Sequence, residues 1–373
     1  MPHDAALTTH VQNAMAAVNA RSNRILNTTL IFISLALLAL LIVDMTTGEA
    51  SVARVVTPGI VARVLLRHVP VIGSRIASLP DSLRYIDALV WEQRAPRVLG
   101  GALVGMLLAL AGMAFQSLLM NPLADPYTVG VSSGSALGAM AVALWGGGAL
   151  AISLLQPVAA FASGMVAMIL VYMLARLGGR VSAGSFLLAG LNVGMFFWSL
   201  IPLMLALADR TGNIDRRSAI LSELLGNLQG LDWMRVTILA VACGITAWAM
   251  WRSARELDLM TLGEEAAAHA GVDTEAFKKR AIVAGSFATA VAVSMAGIIA
   301  FVGLIVPHIA RRVVGPRHRA VVPSALLMGA LLLVTSDWLT RVFLNQVEVG
   351  VVTSLIGAPL FCYLLRRRMQ EAA

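Results

Sequence analysis

The chain has 373 residues, of which 58% are apolar and only 13% are charged, and its mean hydropathy is +0.82. A soluble domain carries about 25% charged residues, so a purely water-solvated globule is excluded and lipid must solvate much of the surface. The net charge of +8 comes almost wholly from Arg, Lys278 and Lys279 being the lysines. In a soluble protein that balance would suggest nucleic acid, but with this composition it reads as arginines holding helix ends at headgroups, and no nucleic-acid partner is expected.

The first 27 residues are polar and mixed, with no apolar stretch closing on a small-residue cleavage site. They read as a cytoplasmic extension (1–27) and not as a cleaved signal peptide. Apolar runs follow at roughly 28–46, 94–116, 128–145, 150–175, 185–208, 233–251, 280–298, 299–313, 321–340 and 348–365. At about 20 residues per span, they predict an all-α polytopic protein of about ten transmembrane helices. The seventh and eighth runs are nearly continuous through Gly297 and Gly303, which leaves nine as the other count. Ten places both termini on one side.

With that side cytoplasmic, 16 of the 28 basic residues fall inside, a modest bias led by Arg311–Arg319 and the terminal Arg366, Arg367 and Arg368, as short loops carry this signal. The outer arginines cluster at 54–97 and 210–235, with Arg341 apart. Such patches suit either an acidic docking partner or headgroup anchoring. The outer segment 48–91 is too polar to span, and its Val61, Val64 and Leu65 predict an interfacial helix. In the second outer stretch, Ser218–Leu225 predicts a short helix on the outer surface. Gly130, Gly134 and Gly138 repeat every four residues, as do Gly101 and Gly105, which predicts close helix packing within the chain. The longest inside segment, 252–280, is charged and has no run able to span; it predicts a helix–turn–helix that meets a partner.

Several chemistries are missing from the residues. No Gly-rich phosphate loop precedes either Lys, so the chain is not expected to hydrolyse ATP. His3, His10, His68, His269, His308 and His318 are scattered, and with Cys243 and Cys362 in apolar runs no metal-ligand spacing or disulfide framework arises. A haem-ligand role for His68 or His308 is weighed against a structural one, with no second ligand paired to either. Asp337 lies inside the ninth apolar run, and ion-coupled carriers place ionisable groups at that depth. Pairing with Arg341 at i,i+4 is the plainer reading, and an ion-gradient-driven secondary transporter is the rival reading.

Two stretches carry a resemblance. One runs from Arg94-Ala-Pro-Arg97 through Gln116 to Asn121-Pro122-Leu123-Ala124-Asp125-Pro126-Tyr127 and Gly130-Val131-Ser132-Ser133-Gly134. The other runs from Gly297 through Phe301-Val302-Gly303-Leu304-Ile305-Val306-Pro307-His308 to Gly357-Ala358-Pro359. Together they resemble the iron-chelate/vitamin B12 permease family of binding-protein-dependent ABC importers, over about Thr28 to Arg367.

The resemblance implies a type II ABC importer permease fold over 28–367, with a cytoplasmic tail at 368–373, in the bacterial inner membrane with both termini cytoplasmic. It implies a homodimer, two copies of a cytoplasmic ATPase that binds the ATP and Mg, and a periplasmic binding protein. It implies no cofactor on this chain. The cargo would be a metal chelate: haem first, ferric siderophore or cobalamin next. Leu262, Gly263, Glu264, Glu265, Ala266 and Gly271 match the ATPase-coupling element, with Glu264 and Glu265 expected to meet basic groups on the partner. Arg94, Arg97 and Arg341 match arginines that receive the binding protein's acidic groups. Asn121, Pro122, Leu123, Ser182 and Ser185 match the cytoplasmic gate, with Asn121 also a candidate cap of the next helix. Ser222-Glu223-Leu224-Leu225-Gly226 departs from the family's pattern at the outer rim.

Overall fold

The computed structural model describes residues 2–47, 56–69, 73, 80, 83–145, 149–177, 180–210, 223–344 and 347–372, with the side chains of 2–23, 149–153, 177, 207–210, 368–369 and 371–372 left aside. A helix stands at each of the ten apolar runs: α1 (Pro2–Thr46), α3 (Arg84–Leu118), α4 (Val131–Trp145), α5 (Ala149–Ala175), α6 (Ala183–Arg210), α7 (Trp233–Arg252), α10 (Thr274–Ala296), α11 (Val302–Val314), α12 (His318–Phe343) and α13 (Val349–Ala372). Shorter helices lie in the connections: α2 (Pro58–Arg67), α8 (Ala254–Met260) and α9 (Glu264–His269). A two-stranded antiparallel pair, β1 (Arg176–Leu177) and β2 (Arg180–Val181), joins α5 to α6.

Among the described residues, seven helices are long and apolar enough to cross a membrane by themselves, and α4, α10 and α11 are not among them. The reasons are local. Helices α4 and α11 have 15 and 13 residues, and α10 opens with Glu275, Lys278, Lys279 and Arg280. All three are covered by neighbours, so packing holds them where hydropathy alone would not.

Helix α3 is the hub, touching α1, α7, α10, α11 and α12. In lipid no hydrophobic force drives helix to helix, so contact depends on close packing, which small residues permit. A Cβ on Gly105 would lie 2.2 Å from the Gly329 carbonyl oxygen, so these two backbones of α3 and α12 meet directly. The Gly134 and Gly138 positions likewise abut Ser163, Ala159 and Ala167 of α5, placing that ladder inside the chain. The outward faces of α5, α6 and α7 carry Leu155, Met173, Met195, Trp198 and Trp248 exposed, as a lipid-facing surface allows.

The predicted interfacial helix exists as α2, started by Thr57, whose Oγ1 accepts from Ile60 N, and by Pro58 at the first position. Its apolar face does not lie free at the headgroups. Val61 and Val64 are buried in a cluster with Leu37, Ile86, Val90 and Val334. The reading of Ser218–Leu225 falls outside the described residues except for 223–225, which are helical.

The seventh and eighth runs are separate helices because α10 stops at Gly297, whose φ of +68° suits only glycine and whose Cβ would sit 2.4 Å from the Glu223 carbonyl oxygen. Helix α11, at about 1.5 Å per residue, reaches about 20 Å, short of a hydrocarbon core of about 30 Å. The break therefore lies at membrane depth, where bare backbone is tolerated only if protein satisfies it. It is satisfied: Ile298 N donates to the Glu223 carbonyl at 3.0 Å and Asn227 N to the Ala296 carbonyl at 2.8 Å.

Candidate functional site

One end of the bundle carries a protruding hook. Leu257 and Met260 of α8 are fully buried and root it in the core, while Leu262 at its tip is 71% exposed. Gly263 turns the chain at φ +110° and Gly271 ends α9 at φ +85°. Glu265 and Ala266 are exposed, and Ala267 on the opposite face of α9 is buried. Glu264 already has partners inside the chain. Its carboxylate is engaged within the chain, with Lys278 Nζ at 2.6 Å and Thr274 Oγ1 at 3.4 Å. Lys278, counted in sequence only among the inside basic residues, is buried and donates also to Glu275 at 2.9 Å and to the Val181 carbonyl at 2.9 Å. On the root side, Asp258 Oδ1 accepts from His318 N at 2.8 Å and meets His318 Nδ1 at 2.7 Å, tying α8 to the start of α12.

The two stretches matched to a gate lie at the same end. Ser182 Oγ accepts from Ser185 N at 3.0 Å and pairs with Ser185 Oγ at 2.8 Å, starting α6. Asn121 N donates to the Gln116 carbonyl, and Asn121 Oδ1 accepts from Leu123 N, both at 3.0 Å. Asn121 thus closes its own turn. The following 3-10 turn, Pro126–Val129, is capped by Asp125, which accepts from Tyr127 N at 3.0 Å. The two stretches are linked through the core by Phe115 of α3 and Phe186 of α6, both fully buried, with ring centroids 6.5 Å apart. Gln116, noted in sequence only as part of a motif, donates to the carbonyls of Gly303 and Leu304 at 3.2 and 3.1 Å and accepts from Arg311.

At the opposite end the three matched arginines come together, but in an ion network of the chain's own. Arg97 grips Asp337 with both arms of its fork, Nε at 3.1 Å and Nη2 at 2.7 Å. Arg341 lies 3.2 Å from Asp337 and also pairs with Asp44 of α1. Arg94 donates to the Met45 carbonyl at 2.7 Å. The plain pairing of Asp337 with Arg341 is present, yet Arg97 is the closer partner and lies 240 residues away in sequence. Asp44 was passed over, although it is the single acid in the first apolar run. Nearby, His68 stacks on Trp91 at 4.0 Å and Trp91 on Trp233 at 4.3 Å. His68 therefore has an aromatic structural role, its Nδ1 held to the Val64 carbonyl.

A family model described as the FecCD transport family matches residues 36–367. This chain belongs to the FecCD transport family. Among relatives, the cobalamin import system permease protein BtuC of Halobacterium salinarum is 38% identical over 286 residues, 77% of this chain and 75% of its own length. The uncharacterized ABC transporter permease protein YvrB of Bacillus subtilis is 39% identical over 280 residues, 74% of this chain and 78% of that protein. The vitamin B12 import system permease protein BtuC of Vibrio cholerae is 34% identical over 286 residues, 75% and 83% respectively. Among solved structures, an ABC transporter assigned to the metal-chelate type, in an inward-facing conformation, superposes with a TM-score of 0.75 at 23% identity, covering 91% of this chain and 99% of that one. At that identity it speaks for the fold alone, a type II importer permease fold. FecCD chains are ABC permease subunits whose ATPase activity lies in a separate subunit, and the apolar helices place this one in the inner membrane as a multi-pass protein.

Proposed function

We propose that this FecCD chain is the membrane-spanning subunit of an ATP-driven importer that moves a bulky metal chelate inward by alternating access. It works as a homodimer with two copies of a cytoplasmic ATPase, which hold the ATP and Mg, and it takes its cargo from a periplasmic binding protein. The observation that carries this reading is the exposed hook at 262–271, rooted in the core by α8 on a chain without a phosphate loop. A rigid hook turns closure of a nucleotide-binding partner into a push on the helices it is rooted in. The hook end and both termini are then cytoplasmic, Asn121–Leu123 and Ser182–Ser185 form the inner gate, and Arg94, Arg97 and Arg341 face outward. There Asp337 and Asp44 hold the forks of Arg97 and Arg341 ready, and docking exchanges an internal carboxylate for one on the binding protein, to which Arg offers bidentate geometry.

Haem stood first among the cargoes read from sequence. Two relatives named for cobalamin or vitamin B12 import, at 38% and 34% identity, move cobalamin ahead of haem and siderophores. The ion-driven alternative loses its candidate site, because Asp337 is occupied by Arg97 and Arg341. The deciding experiment is uptake of cyanocobalamin and of haem into proteoliposomes holding the whole complex. Import is expected to stop when the partner ATPase is catalytically dead. Import that continues overturns the reading.

A further inference from the structure

Among the described residues, three charged ties fasten the hook to the bundle, with Thr274 Oγ1 on Glu264 at 3.4 Å beside them, and they are not equivalent. Arg280–Glu256 at 3.0 Å joins α10 to α8, with Arg280 exposed and Glu256 half-buried, and does not reach the 180–185 stretch. His318–Asp258 secures the start of α12 and goes no further. The third tie is Lys278, whose side chain is only 5% exposed. An ammonium has three N–H donors, and here they meet three acceptors: Glu264 on α9 at 2.6 Å, Glu275 in the first turn of α10 at 2.9 Å, and the Val181 carbonyl on β2 at 2.9 Å.

Val181 directly precedes Ser182, which starts α6. One nitrogen therefore bonds at once to the hook and to the residue ahead of the gate stretch. Charge-assisted bonds are short and directional. A displacement of α9 by more than a few tenths of an ångström must either carry Lys278 and Val181 with it or break a buried bond. Among the described residues, no other hydrogen bond or ion pair links α9 to the 180–185 stretch.

We propose that Lys278 is a positioning residue that couples the hook to the Ser182–Ser185 stretch, so that movement of α9 reaches the start of α6 through the Glu264–Lys278–Val181 chain of contacts. This rests on the reading of the hook as the ATPase contact. Glu264 then serves as the inner arm of the hook, while Leu262 and Glu265 are its outer face.

The test uses the whole complex of this chain, its ATPase and its binding protein, in a Cys362→Ser background, since Cys362 is exposed and Cys243 buried. A bimane label is placed on Gly184→Cys, where an added Cβ meets nothing within 4 Å, and separately on Ala268→Cys, which is exposed. In the parent, ATP with vanadate changes the fluorescence of both labels. In Lys278→Met the label at 268 still responds, the label at 184 does not, the ATPase still co-purifies, and cyanocobalamin or haem import per ATP falls about tenfold or more. Glu264→Ala, which removes the same contact from a half-exposed position and leaves Lys278 its bonds to Glu275 and Val181, gives the same separation should Lys278→Met fail to fold. A label at 184 that responds unchanged in both variants overturns the relay and leaves the hook reading standing. A parent in which the label at 268 does not respond overturns both.

Discussion

Arg97, Arg341, Asp337 and Asp44 show how much one charge governs at the residue scale. Removing a partner from a buried pair leaves an uncompensated charge in a low-dielectric site and costs about 3–5 kcal/mol. Asp337, 3% exposed at its side chain, serves two guanidinium groups. Asp337→Asn is therefore expected to lower the thermal midpoint in detergent steeply, and Arg97→Gln added to it to recover part of the loss. A double variant whose loss equals the sum of the losses in Asp337→Asn and Arg97→Gln would show that the pair is not coupled.

At the scale of the element, helix contacts are set by whether backbones can approach. Gly105→Val would drive a side chain against the Gly329 carbonyl, where even a Cβ lies 2.2 Å away. The two helices must separate, and the expected result is a chain that aggregates or melts far earlier. Gly244→Ala on α7 is the control. A Cβ there meets nothing within 4 Å, and Ala is favoured over Gly in a helix interior by about 1 kcal/mol, so its midpoint should stay level or rise. Equal behaviour of the two variants would contradict the packing account. The ten-helix count belongs to this scale too. The alternation of apolar runs and arginine-rich breaks is written in local composition, and Gly297 marks the division of the seventh and eighth runs. The weakness of α4, α10 and α11 as lone spans is equally visible in composition, but that neighbours cover them is not.

For the whole molecule the question is which surfaces are left for partners. Leu262 supports nothing inside the chain and is 71% exposed. Leu262→Asp should leave the midpoint of the isolated permease unchanged while abolishing co-purification of the ATPase. Retained ATPase would remove the hook from the interface. The opposite end presents arginines already neutralised in part by Asp44 and Asp337, and the proposed docking of a binding protein there is expected to weaken as salt rises.

Sequence by itself determined the solvent, the helices, the hook and the family, because hydropathy, small-residue spacing and glycine positions act within a few turns of the chain, while at Gly297 it left nine or ten spans open. It also placed Arg94, Arg97 and Arg341 at one end. Only the tertiary structure decided their partners: Arg97 with Asp337, Arg341 with Asp44, and Lys278 with Glu264 and Val181. It likewise turned the face of α2 onto protein instead of lipid and assigned the 3-10 cap to Asp125. The reason is range: a charge finds its partner by where helices cross, and no local periodicity encodes which of several arginines a distant aspartate will meet.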